Sequence, residues 1–318
     1  MRPPEFWNKD DGMARAMRAL LAPMSWAYGA SVRWKRDGAH PYRAKAKIVC
    51  IGNLTAGGSG KTPIAIAVAG ALRAHHPFIL SRGYGGHMRG PALVDPAQDT
   101  ARDVGDEPLL LARAAPVVVA RNRMAGAAFA DAHGAGVIVM DDGHQNFDLA
   151  KDLSIVVVDA ETGFGNGRVL PAGPLREPVA QGLARADAVV LVGDGMPGLG
   201  GFAGPILRAR LAPGESHGLT GEKVVAFAGI GRPDKFFDTL RHLGAELIET
   251  REYADHHAYT ASEIARLKAK ARGARLVTTE KDYVRLTQTE REGVTFLPVR
   301  AQFEDEAALA NLLSRLAA

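Results

Sequence analysis

An α/β architecture is the fold class this sequence predicts: a mostly parallel sheet flanked by helices, with a second, smaller α/β domain attached. Three observations lead there. Short apolar runs alternate with helix-length segments along most of the chain, the pattern of strands covered by crossover helices. One such run, 48–51, leads into Gly57, Gly58 and Gly60, then Lys61 and Thr62 at the head of an apolar, helix-length segment. Another, 137–140, ends on two adjacent carboxylates, Asp141 and Asp142.

The stretch 47–69, KIVCIGNLTAGGSGKTPIAIAVA, has the order strand, glycine loop, Lys-Thr, helix. That is the order of a phosphate-binding P-loop, so the main sheet is expected to be P-loop NTPase-like. Phosphate oxygens need several backbone N–H donors at once, and glycine lets the backbone approach closely. Thr55, Ala56, Gly57, Gly58, Ser59 and Gly60 would form the cradle, backed by the positive end of the following helix. Lys61 would reach the β- and γ-phosphates, and the Thr62 hydroxyl would ligate Mg²⁺ beside ATP. Thr55 stands where the pattern G-x-x-x-x-G-K-[ST] begins with glycine. A plain glycine turn is the alternative, and the flanking strand and helix argue against it.

At 318 residues, 47% hydrophobic and 23% charged, the chain is long enough for two domains with a sizeable core. Its 39 basic and 35 acidic residues leave a net charge of +4, a mild excess that fits an anionic partner such as phosphate, lipid headgroups or nucleic acid. Cys50 has no second cysteine with which to form an intrachain disulfide, so a reducing compartment is expected. The opening residues lack a basic region joined to an apolar core, so no signal peptide is expected. No apolar run reaches the length of a membrane span.

In chain order, Met13, Met17, Leu20, Leu21, Met24 and Tyr28 recur at helical spacing among Arg15, Arg18 and Arg33, with Trp26 and Trp34 nearby. A basic amphipathic helix with aromatics suits a membrane interface, and packing on the core is the equal alternative. Pro23 is expected to kink the helix or to start a second one. The strand 78–81 runs into Arg82, Gly83, Tyr84, Gly85 and Gly86, a loop at the strand end where open α/β sheets bind ligands. Asp106 and Glu107 open a helix, where acids simply complement the dipole. Asp141 and Asp142 read as the acids of a Walker B strand that holds Mg²⁺; His144 and Gln145 would lie near that metal, or either would simply close the turn. Strands 153–159 and 188–192 bracket a rigid Pro-Gly loop carrying Arg176. The glycine-rich stretch 193–205 suggests a boundary. The predicted organisation is therefore an N-terminal region 1–35, a P-loop domain 36–203, and a linker strand with a second α/β domain over 204–318. That last segment carries Asp255, His256 and His257, too few ligands for zinc, and Thr279, Glu280, Lys281 and Asp282.

Taken together, 53–62, 81–86, 105–108, 141–143, 173–177, 255–257 and 279–282 resemble the tetraacyldisaccharide 4'-kinase family, and the similarity covers nearly the whole chain. Thr55 is similar to what the family shows at that position, whereas His144 stands where an apolar residue is more usual. The resemblance implies an ATP- and Mg²⁺-dependent kinase of lipid A biosynthesis. Its acceptor would be the 4'-hydroxyl of an acylated glucosamine disaccharide 1-phosphate. It would work peripherally at the cytoplasmic face of the inner membrane, on an anionic surface and without nucleic acid. Asp106 and His256 would be the catalytic pair, Asp106 taking the hydroxyl proton and His256 orienting or tuning it. Arg82 and Gln145 would join the nucleotide site, and Thr62, Asp141 and Asp142 would hold the metal. Arg121, Arg123 and Arg176 are further candidates for neutralising phosphate charge.

Two other functions compete. A P-loop switch acting on a protein partner would need N-K-x-D, and 279–282 has the wrong order. A soluble small-molecule kinase would leave the basic amphipathic N-terminus without a use.

Overall fold

A computed structural model of the chain describes residues 4–7, 9–214 and 218–316. The regions 1–35 and 204–318, and the N-terminal residues read for a signal peptide, lie partly outside the described residues. The strands, in chain order, are β1 Lys47–Gly52, β2 Pro77–Ser81, β3 Ala92–Leu93, β4 Val117–Val119, β5 Val137–Asp141, β6 Leu153–Asp159 and β7 Ala188–Val192. They continue as β8 Ile206–Pro213, β9 Lys223–Ala228, β10 Glu246–Glu252, β11 Arg275–Thr279, β12 Val294–Leu297 and β13 Val299–Phe303. A 9-stranded sheet runs β13-β8-β7-β6-β1-β5-β2-β4-β3, and a 4-stranded sheet runs β10-β9-β11-β12.

The large sheet is parallel except at its two edges, where β3 and β13 run antiparallel. Its strands are continuous apolar runs because both faces are covered. Along β1, Val49 and Ile51 pack on one face with Ile64, Val68 and Leu312, while Ile48 and Cys50 pack on the other with Ala127 and Ala130. Two helices, Lys61–Ala71 and Glu306–Ser314, cover the first face, and Arg123–Ala132 covers the second. β1 pairs with β5 and β6, placing Ile51 beside both Asp141 and Ile155. The P-loop leaves the carboxyl end of β1 next to the point where strand order reverses, which is where such sheets bind ligands.

Sheet membership redraws the expected boundary at 204. β8 pairs in parallel with β7, so 193–205 connects neighbours within one sheet, and β13 returns to pair with β8. The last helix also returns, burying Leu309, Leu312 and Leu313 in the large core. Between these returns, β9 to β12 and their helices form a separate sheet with cores of its own.

The N-terminal segment forms one helix, Gly12–Asp37, and Pro23 lies inside it rather than breaking it. The helix is capped by Asp11, whose side chain accepts from Ala14 N. It rests on the rest of the protein through its small-residue side. Ser25 Oγ accepts from Ala172 N at 3.0 Å, and the Trp7 indole just before the helix donates to Pro171 O at 3.1 Å. Most of the periodic apolar residues face outward, Met13, Leu20 and Met24 being 76%, 73% and 60% exposed, while Leu21 is half-buried. Core packing, the alternative weighed above, does not apply to this stripe. No helix among the described residues is long and apolar enough to cross a membrane.

Candidate active site

The P-loop is held open by side chains beneath it. Asn53 is fully buried and donates to Thr55 O at 2.8 Å and Ser59 Oγ at 3.0 Å. Ala56 N donates to Pro174 O at 2.7 Å, which pins the loop's first half to the Pro-Gly segment. Gly60, at φ 83°, turns the chain into the helix Lys61–Ala71 in a conformation that costs most residues energy. No side chain caps this helix, so its first backbone N–H groups keep their capacity to meet an anion.

β5 delivers Asp141 and Asp142 to the same end of the sheet. Asp142 turns out of the strand at φ 49°, the left-handed region, an arrangement typical of residues held for function. Its Oδ1 accepts from Arg176 Nη1 at 2.8 Å and lies 3.8 Å from Lys61 Nζ. Burial would raise the Asp142 carboxyl, but Lys61 and Arg176 outweigh it and hold the group below the usual range. Asp141 behaves oppositely: burial, then the negative charges of Glu107 and Asp142, push it well above the usual carboxylate range. Its Oδ1 is buried with no hydrogen-bond partner among the described residues. An unpartnered oxygen, two adjacent carboxyls and a threonine hydroxyl at the helix start are a donor set that fits a hard divalent cation. Arg123, also buried, donates to Asp141 O at 2.9 Å and fixes the strand end from behind.

Gln145 is locked in place, donating to Asn53 O at 2.9 Å and to Glu177 Oε1 at 3.0 Å. Glu177 is in turn gripped by Arg185 Nη2, 2.8 Å from both carboxylate oxygens. Of the two readings open for His144, the structure favours packing: its ring is buried, 3.1 Å from Ser154 Oγ and 2.9 Å from Gly182 O. Burial keeps it neutral down to about 3, with Arg185 and Lys151 adding to the effect. It serves the packing under β1, where a Cβ on Gly52 would fall 2.5 Å from the His144 Cβ.

The second cluster joins the two sheets. Asp106 opens the helix Asp106–Leu111 on the large unit and is 5% exposed. His256 follows β10 on the small unit at φ 58°, and its Nδ1 is 3.0 Å from Asp106 Oδ2. Arg285 reaches the same oxygen with Nε at 3.0 Å and Nη2 at 2.6 Å. Lys281 Nζ lies 4.0 Å from that oxygen and 3.2 Å from His256 Nε2. Burial alone would raise the Asp106 carboxyl, but the His256 hydrogen bond and the charges of Lys281 and Arg285 hold it well below the usual range. His256 therefore adjusts Asp106 downward, keeping it anionic. Glu107 is 3.9 Å from Lys281 and its charge is felt at Asp141, so it bridges this cluster electrostatically to the P-loop end.

The structure thus gathers Lys61, Gln145, Asp141 and Asp142 around the P-loop, and Asp106 with His256 beside them. Arg82 is exposed at the end of β2. Arg121 donates to Gly86 O at 3.3 Å, and Arg176 is engaged with Asp142. His257 pairs with Glu263 at 3.2 Å and stacks on Tyr253. Sequence reasoning missed Arg285, and it named the buried Asp282 that Arg285 contacts only within 279–282, with no role of its own. Their only local signal is the three-residue spacing on one short helical turn.

A family model described as tetraacyldisaccharide-1-P 4'-kinase (LpxK) matches residues 17–318. A tetraacyldisaccharide 4'-kinase of Rhodospirillum centenum is 49% identical over 329 residues, covering 99% of this chain and 97% of its own length. One from Rhodospirillum rubrum is 51% identical over 328 residues, covering 99% and 98%. A crystal structure of LpxK from Aquifex aeolicus, described as an "apo" form in complex with ATP, matches with a TM-score of 0.79 at 28% identity, covering 94% of this chain and 99% of that one.

Proposed function

The chain belongs to the tetraacyldisaccharide-1-P 4'-kinase family, and from that premise we propose how its own residues carry out the transfer. It is an ATP-dependent kinase of lipid A biosynthesis, placing the γ-phosphate on the 4'-hydroxyl of a tetraacyldisaccharide 1-phosphate. The loop from Thr55 to Thr62 takes the phosphates, Lys61 exchanging Asp142 for the β- and γ-oxygens. Asp141, Asp142 and Thr62 hold Mg²⁺, which when bound supplies charge neutralisation at the transferring group. Gln145 and Arg82 flank the nucleotide. The observation that carries the metal assignment is the buried, unpartnered Oδ1 of Asp141.

Asp106 accepts the proton of the 4'-hydroxyl as that oxygen bonds to the γ-phosphorus and the bond to the ADP oxygen breaks. A depressed carboxylate is a weak base, which suits a loose transition state in which the attacking oxygen has formed little bond. Asp106 then contributes chiefly by orienting the hydroxyl, and His256 by orienting Asp106. The two units, the P-loop body and the smaller sheet, form the walls between which acceptor and nucleotide meet. Closure of these walls would exclude water that otherwise wastes ATP.

The membrane-facing element is the helix Gly12–Asp37. Its outward stripe of Met13, Met17, Leu20, Met24 and Tyr28, with Arg15, Lys35 and Arg36 beside it, suits the anionic cytoplasmic surface of the inner membrane. The acceptor is a lipid, so nucleic acid has no part in this reading. A protein-directed switch and a soluble kinase find no feature that favours them.

The test is transfer of label from γ-labelled ATP, with and without Mg²⁺ and the acylated disaccharide 1-phosphate, in the parent protein and in Lys61→Ala. Mg²⁺-dependent label on the lipid, lost in a folded Lys61→Ala protein, is the expected result. Near-normal transfer by Lys61→Ala, or label released only as inorganic phosphate, would overturn the reading.

A further inference from the structure

We propose that Arg285 is a positioning residue for phosphoryl transfer, orienting the Asp106 carboxylate so that Oδ1 is the oxygen left to meet the acceptor hydroxyl. The proposal rests on the reading of Asp106 as the base. It begins with the lone pairs. A carboxylate oxygen accepts about two good hydrogen bonds. Asp106 Oδ2 faces three donors: Arg285 Nε at 3.0 Å, Arg285 Nη2 at 2.6 Å and His256 Nδ1 at 3.0 Å. Among the described residues Oδ1 accepts only from Glu107 N, at 3.0 Å, and keeps capacity for another donor.

Arg285 is itself fixed before it reaches Asp106. Its Nη1 donates to Asp282 Oδ1 at 2.7 Å and to Gly229 O at 2.8 Å. Asp282 is fully buried and accepts from Tyr259 Oη at 2.8 Å, Thr279 Oγ1 at 2.5 Å and Gly229 N at 3.1 Å. The guanidinium is therefore a rigid fork, one arm in the small unit and the other across the boundary on Asp106, a geometry lysine cannot reproduce. This gives the motif 279–282 a use that the P-loop chemistry does not absorb: it builds the mount for Arg285.

The charges facing Asp106 are those of Arg285, Lys281 and His256 from the small unit and Glu107 from its own helix, with Asp255 3.9 Å behind His256. His256 presents Nδ1 to Asp106 and Nε2 to Lys281. Arg285 then supplies the nearest full positive charge, in contact rather than at 4.0 Å as Lys281 is. Its removal should make Asp106 easier to protonate as well as freer to turn.

The experiment is the pH profile of kcat, at saturating ATP and lipid, for the parent, Arg285→Gln, Arg285→Lys and Asp106→Asn. Arg285→Gln should move the acid limb of the profile upward by about one to three pH units, the range an adjacent opposite charge accounts for. Arg285→Lys should move it in the same direction by less, and the KM for ATP should stay within about twofold of the parent. Loss by one factor at every pH would mean a merely structural role and overturn the proposal, as would a parent-like profile. If Arg285→Gln does not fold, Arg285→Lys decides by the same criterion. Asp106→Asn separates the two claims: parent-like turnover there removes Asp106 as the base, whereas an inactive Asp106→Asn beside an unshifted Arg285→Lys removes only the role of Arg285.

Discussion

His256 Nδ1 lies 3.0 Å from Asp106 Oδ2, although Asp106 opens a helix on the large unit and His256 follows β10 on the small one. The contact forms part of an ion-pair seam between the units that also includes Arg113 with Glu280, Arg232 with Asp159, and Lys235 with Glu161. Most of these pairs are partly exposed and contribute little to stability individually. The Asp106–Arg285 pair is buried, and removing one partner would strand the other's charge, a loss of about 3–5 kcal/mol. Catalytic orientation and the docking of the two units therefore depend on the same side chains.

For the metal site, Asp141→Asn and Asp142→Asn should each weaken the response of turnover to Mg²⁺ strongly. Asp142→Asn should also loosen Arg176 and Lys61, which both rest on that carboxylate. Titration of activity with Mg²⁺ at fixed ATP checks this. A parent-like Mg²⁺ curve in both variants contradicts the assignment.

The pH dependence of stability has an identifiable source in His144. Unfolded, this histidine gains a proton as pH falls through about 6.5. Folded, it stays neutral down to about 3 because it is buried. The unfolded state binds the extra proton between those values, so folding stability is lost across that window as pH falls. Between pH 7.5 and pH 5 the loss from this one residue is about 2 kcal/mol. His144→Leu should flatten the slope of stability over that interval, whatever it costs at neutral pH by removing the contacts to Ser154 and Gly182. Denaturant unfolding at the two pH values measures it, and an unchanged slope would contradict the account.

On the N-terminal helix, replacing Leu20 and Met24 together with serine should reduce partition onto anionic vesicles by at least about tenfold, since each buried apolar side chain contributes about 1.5–3 kcal/mol. Both side chains are exposed, so the fold and ATP binding should be untouched. Vesicle co-sedimentation reads the effect, and unchanged partition would remove the helix as the membrane-facing element.

Local chemistry was the most legible part of the chain. The P-loop and the acids after β5 could be read directly because strand, turn and helix follow one another within a few residues. The two sheets were legible as classes of element, but not their membership. β8 read as a strand, yet its partners depend on register across the chain; β13 was not read at all, and 193–205 looked like a boundary because glycine and proline mark any tight connection. The direction of the apolar stripe on Gly12–Asp37 was open because periodicity identifies a face and not what it faces. Asp106 and His256 could be paired only by family resemblance, since alone they read as a dipole-complementing acid and a surface histidine. Arg285 carried only its three-residue spacing from Asp282 as a signal, because its role comes from Asp106 approaching it from the other unit.

The most direct measurement is the transfer rate in a double-mutant cycle of Asp106→Ala and His256→Ala, with ATP binding measured separately. Each single change should slow transfer by about a hundred- to ten-thousand-fold, the range for losing general-base assistance. The double variant should be little worse than the poorer single one, because residues that act as a unit lose their effect together. ATP affinity should hardly change, since neither side chain belongs to the P-loop. Fully multiplicative losses, or parent-like transfer by Asp106→Ala, would contradict the account.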